Sequence, residues 1–157
     1  MQKIVTSLWF DRQAEEAANF YVSVFENSEI VAVSHYGENA PMEAGTVLAV
    51  RFVLDGVEFE GINGGPAFTF SEAISLSVSA ETQEEIDRLW DTLTADGGEP
   101  SQCGWLKDKY GLSWQIVPPI LPKLLNDPDT EKAARAMQAM LGMQKLDIAE
   151  LQAAFDG

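Results

Sequence analysis

The chain contains the same unit twice, and a duplication restricts the fold more than any other property of this sequence. Residues 4–25 (IVTSLWFDRQAEEAANFYVSVF) overlay residues 73–94 (AISLSVSAETQEEIDRLWDTLT) at a shift of 69, which sets Glu15 and Glu16 on Glu84 and Glu85, Phe20 on Leu89, Tyr21 on Trp90 and Val24 on Leu93. Farther along, residues 55–60 (DGVEFE) overlay residues 110–115 (YGLSWQ) at a shift of 55, so the second copy has lost a hairpin's worth of loop. A duplicated strand–helix–strand unit predicts two half-barrels facing one cavity, and cavities are where small ligands bind.

Each copy reads as βαβββ. Residues 4–10 alternate as a strand, with Val5, Ser7 and Trp9 on one face and Ile4, Thr6, Leu8 and Phe10 on the other. Ala14, Ala17, Ala18, Tyr21, Val24 and Phe25 then recur at helical spacing. Strands are expected near 29–36, 46–54 and 57–62, and Asn63-Gly64-Gly65-Pro66 closes the copy. The second copy predicts a strand over 73–79, a helix over 82–95 stopped by Asp96-Gly97-Gly98, and strands near 103–108 and 112–117. The fold class is therefore α+β, a single domain made of modules 1–68 and 69–118, with a helical tail over 119–157. In the tail, Asp127-Pro128 predicts a helix start and Gly142 its end, while Asp147-Ile148-Ala149-Glu150 has capping-box spacing.

Charge narrows the partners. Ten basic against 25 acidic residues give a net charge of −15, a field that repels phosphate backbones and anionic lipid. No nucleic-acid or membrane partner is expected. No apolar run approaches a membrane span, the N-terminus lacks a signal-peptide pattern, and the one cysteine cannot form an internal disulfide; a cytoplasmic address follows.

Alternation also assigns the cavity lining. In the second copy Ile74, Leu76 and Val78 oppose Ser75, Ser77 and Ser79, and Leu112, Trp114 and Ile116 oppose Ser113, Gln115 and Val117. The apolar sets belong under the helices, which leaves the Ser and Gln faces for the cup. The same logic puts Val57 and Phe59 under the first helix and Glu58, Glu60 and Ile62 in the cup. The repeat sets Thr6 on Ser75 and Glu60 on Gln115. The expected lining is Thr6, Leu8, Phe10, Glu58, Glu60, Ser75, Ser77, Ser113 and Gln115, with Trp105 as a possible stacking surface.

The stretches LWFDRQAEEAANFYVSVF (8–25), NGGPAFTFSEAISLSV (63–78), ETQEEIDRLWDTL (81–93), QCGWLKDKYGLSWQIVP (102–118) and MQAMLGMQKLDIAEL (137–151) resemble PhnB-like proteins. These belong to the vicinal-oxygen-chelate, or glyoxalase/bleomycin-resistance/dioxygenase, superfamily, in a group often labelled 3-demethylubiquinone-9 3-methyltransferase. The resemblance implies paired βαβββ modules forming a cup-shaped, mostly antiparallel half-barrel, and commonly a homodimer. It also implies one divalent metal held by His and Glu from equivalent strands, at places that fall on Thr6, Glu60, Ser75 and Gln115. Three of those four are neutral and poor ligands, and the single histidine, His35, has no histidine partner, so no metal centre is expected.

Methyl transfer on a Rossmann scaffold would require a Gly-rich turn after the first strand, and no G-x-G occurs in the chain. No cofactor is expected. Glu60 is the candidate general base, provided Leu8, Phe10, Ile62 and Val117 desolvate it; otherwise it is a solvated carboxylate beside Glu58. Cys103 has no neighbouring histidine and reads as a quiet thiol. Two functions stay open. One is a metal-free small-molecule-binding protein. The other is an enzyme acting on a small, aromatic or quinone-like substrate through Glu60 or a recruited metal, or by the methyl transfer in the family label. Met137, Met140, Leu141 and Met143, with Leu146, Ile148, Leu151 and Phe155, give the tail more apolar surface than one sheet face covers, which points to a homodimer.

Overall fold

In the computed structural model, which describes residues 2–157, the chain divides into two compact units, the second running Ser71–Gly157. The first unit orders β1 (Thr6–Phe10), α1 (Ala14–Val24), β2 (Glu29–His35), β3 (Val47–Leu54) and β4 (Val57–Asn63). Its sheet order is β1-β4-β3-β2, with β1 and β4 parallel and the other neighbours antiparallel. The turn between β3 and β4 is a two-residue hairpin in which Asp55 (φ 46) and Gly56 (φ 79) both take left-handed conformations, the chemistry a type I′ turn demands.

One face of this sheet packs on α1. Ala14, Ala17, Ala18, Tyr21 and Val24 are buried along the helix, and the Tyr21 ring lies 6.4 Å from that of Phe52, which stacks on Phe59 at 5.6 Å. The N-cap residue Gln13 makes no capping bond. Instead Asn63, buried at the end of β4, accepts from the Ala14 amide at 2.8 Å and donates to the Val47 carbonyl at 3.1 Å. A strand end thus caps the helix, and the adjacent amides of Gly64 and Gly65 bond the carbonyls of Phe10 and Asp11.

The second unit repeats the order with β5 (Ser75–Ser79), α2 (Gln83–Thr94), β6 (Glu99–Pro100), β7 (Trp105–Lys107) and β8 (Ser113–Val117), in the sheet β5-β8-β7-β6. Strand β6 is two residues long and its second residue is proline, which is why periodicity gives no sign of it. Thr82 caps α2 by accepting from the Glu85 amide. Ile86, Leu89, Trp90 and Leu93 are buried on the helix, as are Leu106, Leu112, Trp114 and Ile116 from the hairpin. Asp108 is buried too. It accepts from the amides of Tyr110 and Leu112 at 2.8 and 3.1 Å and from the Trp114 indole at 2.9 Å.

The tail forms α3 (Ile120–Leu125), α4 (Thr130–Leu141) and α5 (Ile148–Asp156). The cap of α4 is Asp129, not Asp127; Asp127 accepts from the Asp129 amide, which places the second carboxylate over the helix start. Gly142 and Asp147 hold the terminal roles the sequence assigns them. The apolar surplus largely disappears within the second unit. Met143, Leu146 and Leu151 are buried with Leu121, Leu124 and Ala136, and Met140 and Phe155 pack against them, which leaves Met137 and Leu141 exposed. That packing removes most of the physical argument for pairing that the tail's composition suggested. The Gln83 side chain fastens the tail by donating to the Leu146 carbonyl and accepting from the Ile148 amide, while the amides of Cys103 and Gly104 bond the carbonyls of Met143 and Gln144. Lys145 pairs with Asp87 at 2.8 Å, which raises the lysine pKa and lowers that of the aspartate through their hydrogen bond. No helix among the described residues is long and apolar enough to cross a membrane.

Candidate functional site

The face of each sheet turned away from its helix is where functional side chains can gather. In the first unit β4 separates the faces: Phe59, Gly61 and Asn63 are buried on the α1 side, and Glu58, Glu60 and Ile62 alternate with them. Register then places Arg51 beside Glu60 and Val53 beside Glu58 on β3, and Ser7 beside Glu60 and Trp9 beside Ile62 on β1. Arg51 donates to Glu58 at 3.3 Å, and Ser7 donates to Glu60 at 3.5 Å. The Trp9 indole donates to the Gly65 carbonyl at 2.9 Å and meets the exposed Phe68 edge-on at 4.9 Å. A Cβ at Gly64 would fall 2.3 Å from the Trp9 ring, so only glycine admits that indole.

Thr6, Leu8 and Phe10, expected in the cup, lie on the opposite face. They pair with Phe59, Gly61 and Asn63, and Leu8 and Phe10 are buried on the helix side. The cause is one residue. Helices α1 and α2 superimpose at a shift of 69, but Thr6 pairs with Phe59 whereas Leu76 pairs with Trp114, so the strands correspond at 70. The connection from strand to helix is one residue shorter in the second copy, and a one-residue slip sends every side chain to the other face. Ser7 therefore corresponds to Ser77, and Ser7 and Trp9 are the open-face residues that the shift of 69 conceals. Of the apolar companions expected around Glu60 in this unit, Ile62 alone shares its face.

In the second unit the expected face holds together. Ser75, Ser77 and Val117 share it with Ser113 and Gln115, and β7 adds Trp105 beside Gln115 and Lys107 beside Ser113. Gln115 donates to the Ser75 hydroxyl at 2.8 Å. Lys107 forms an ion pair with Glu72. Their hydrogen bond holds the Glu72 carboxyl below the usual range and the Lys107 ammonium above it. Nothing in the sequence signals that pairing, because the partners are far apart in the chain and Glu72 precedes its strand. Cys103 sits in the turn before β7 at φ 59, half-buried, with its amide committed to the tail.

These residues do not fit a divalent metal. Register sets Ser7 with Glu60 and Ser77 with Gln115; Gln115 is engaged with Ser75, and Glu58 with Arg51. His35 is exposed on the edge strand β2, separated from β4 by β3. Among the described residues no three His, Cys, Asp or Glu side chains converge in a way that could hold a metal ion. Hydroxyl and amide oxygens do not replace the imidazole and carboxylate such a site uses.

Comparison with known proteins agrees with the duplicated architecture. A sequence model of the 3-demethylubiquinone-9 3-methyltransferase family matches residues 2–117. Among solved structures, a PhnB protein from Bacillus cereus bearing that methyltransferase name is 45% identical, with a TM-score of 0.68, over 74% of this chain and 99% of its own. A protein from Pseudomonas aeruginosa is 20% identical with a TM-score of 0.60, over 75% of this chain and 98% of its own. A fosfomycin resistance protein from Listeria monocytogenes, solved with Mn(II) and sulfate, is 13% identical with a TM-score of 0.50, over 75% of this chain and 91% of its own, a likeness of fold alone. No curated protein matches. The matched region stops at Val117, so the three tail helices lie beyond it. With two open βαβββ sheets and a family match over most of its length, the chain belongs to the PhnB-like, 3-demethylubiquinone-9 3-methyltransferase family and has the glyoxalase/bleomycin-resistance fold.

Proposed function

We propose that this is a small-molecule-binding protein that works without the superfamily's metal centre, its ligand lying on the polar open faces of the sheets. The observation that supports this reading most is the donor set. Register sets the hydroxyls of Ser7 and Ser77 against Glu60 and Gln115, so of these four groups only Glu60 offers the carboxylate or imidazole that a metal centre uses. Hydroxyls and amides suit hydrogen bonding to a neutral or polar organic ligand, and Trp9 and Trp105 offer flat apolar surface beside them. The purified protein is expected to carry no stoichiometric divalent metal. Elemental analysis finding about one tightly held ion per chain would sink this reading.

A second reading, catalysis, is supported by the Ser7–Glu60 contact: a half-buried carboxylate with a hydroxyl at 3.5 Å can take a proton from a bound substrate. Methyl transfer comes to this chain only through the family's name. We also propose a homodimer, now resting on the exposed Met137 and Leu141 of α4. Light scattering at tens of micromolar is expected to give twice the 17.2 kDa chain mass, and the monomer mass would exclude pairing.

A further inference from the structure

We propose that Lys107, Ser113 and Ser75 form a subsite for the carboxylate of a small ligand, and that Glu72 holds its Lys107 end as an internal stand-in. This rests on the binding reading above and deepens it by naming the ligand's charged group.

Three observations converge. Ser113 is 1% exposed, and its hydroxyl has no hydrogen-bond partner. A buried hydroxyl left unpaired is destabilising, and one that persists calls for an explanation such as a missing partner. Its cross-strand neighbours on the same face are Lys107 and Ser75. Lys107 is the one basic residue in the four strands of the second sheet, in a chain of net charge −15. The group held by that lone cation is itself a carboxylate, Glu72. Both partners are well exposed, with side chains 36% and 60% accessible, and ion pairs of that kind are weak enough to be exchanged for a competing anion.

Spacing selects the rest of the ligand. Trp105 and Lys107 are two residues apart on one strand and project from the same face, about 7 Å from each other. A ligand whose carboxylate meets Lys107 and Ser113 would carry its ring or chain over Trp105 and Gln115. Tethered to the same chain, Glu72 competes at high effective concentration, so the subsite favours ligands that gain from both ends.

The test uses the full chain, isotopically labelled, titrated with benzoate and with its neutral analogue benzamide while the amides of Ser75, Lys107 and Ser113 are followed by NMR. Glu72→Gln removes the stand-in and is expected to tighten benzoate by about tenfold with benzamide unchanged. Lys107→Met in the Glu72→Gln background is expected to reverse that gain. Ser113→Ala is expected to raise Tm, since an orphaned hydroxyl is deleted, while weakening benzoate several-fold; a purely structural serine would not move the two in opposite directions. If both compounds shift these amides equally and Glu72→Gln changes neither, the binding reading stands and the carboxylate subsite is wrong. A lowered Tm for Ser113→Ala also overturns the subsite. If neither compound shifts these amides even in Glu72→Gln, both the subsite and ligand binding on this face fall.

Discussion

Asp108→Ala is expected to remove about 3–5 kcal/mol of stability, the largest single-residue loss outside the apolar core. The carboxylate is 2% exposed and receives the amides of Tyr110 and Leu112 and the indole of Trp114. Alanine takes this acceptor from the buried Leu112 amide and Trp114 indole and from the part-buried Tyr110 amide, and each buried donor so deprived costs roughly 1–3 kcal/mol unless water enters. Asp108→Asn has nearly the same volume but presents an amide N–H to one of those donors, so it should lose about half as much. Urea unfolding at neutral pH followed by Trp fluorescence measures both. A loss below about 1 kcal/mol for the alanine variant would mean that the hairpin turn holds itself together.

Leu146→Ala is expected to cost about 2–5 kcal/mol. Leu146 is fully buried among the tail helices and touches the turn before β7, where a Cβ on Gly104 would come within 2.9 Å of its Cδ1. The cavity opens beside the bonds that fasten residues 143–148 to the second unit, so local opening should increase as well. Limited proteolysis should therefore cut the variant beyond Pro118 at a dose that spares the parent chain. Gln144→Ala is the control: its side chain is exposed two residues before Leu146, and its loss should change stability by no more than about 0.5 kcal/mol. Equal losses at both positions would show that the tail is not seated on Leu146.

Much of this could be read from the residues. Helices α1 and α2 follow their apolar spacing, and β4 and β8 follow their alternation, since each has one face that cannot face water. The first strand could not be read the same way. Both of its faces mix polar and apolar residues, so alternation had no preferred phase, and an overlay anchored on the helices carried the strand one residue out of step. Asp108 and Asn63 look like turn residues; their burial depends on which distant amides arrive beside them. The tail's caps at Gly142 and Asp147 are local signals, and its seating is not, because it depends on main-chain groups and the Gln83 side chain meeting residues far along the chain.

The parallel pairing of the first and last strands of the first unit has a mechanical consequence. The start of β1 and the end of β4 lie at opposite ends of one ladder. Tension applied through the chain on either side of the unit therefore loads all the β1–β4 hydrogen bonds together in shear, where an antiparallel pair of terminal strands would open like a zip, one bond at a time. An unfoldase pulling from either end meets that clamp before it reaches the packing of α1, whose first amide is tied to the same strand through Asn63.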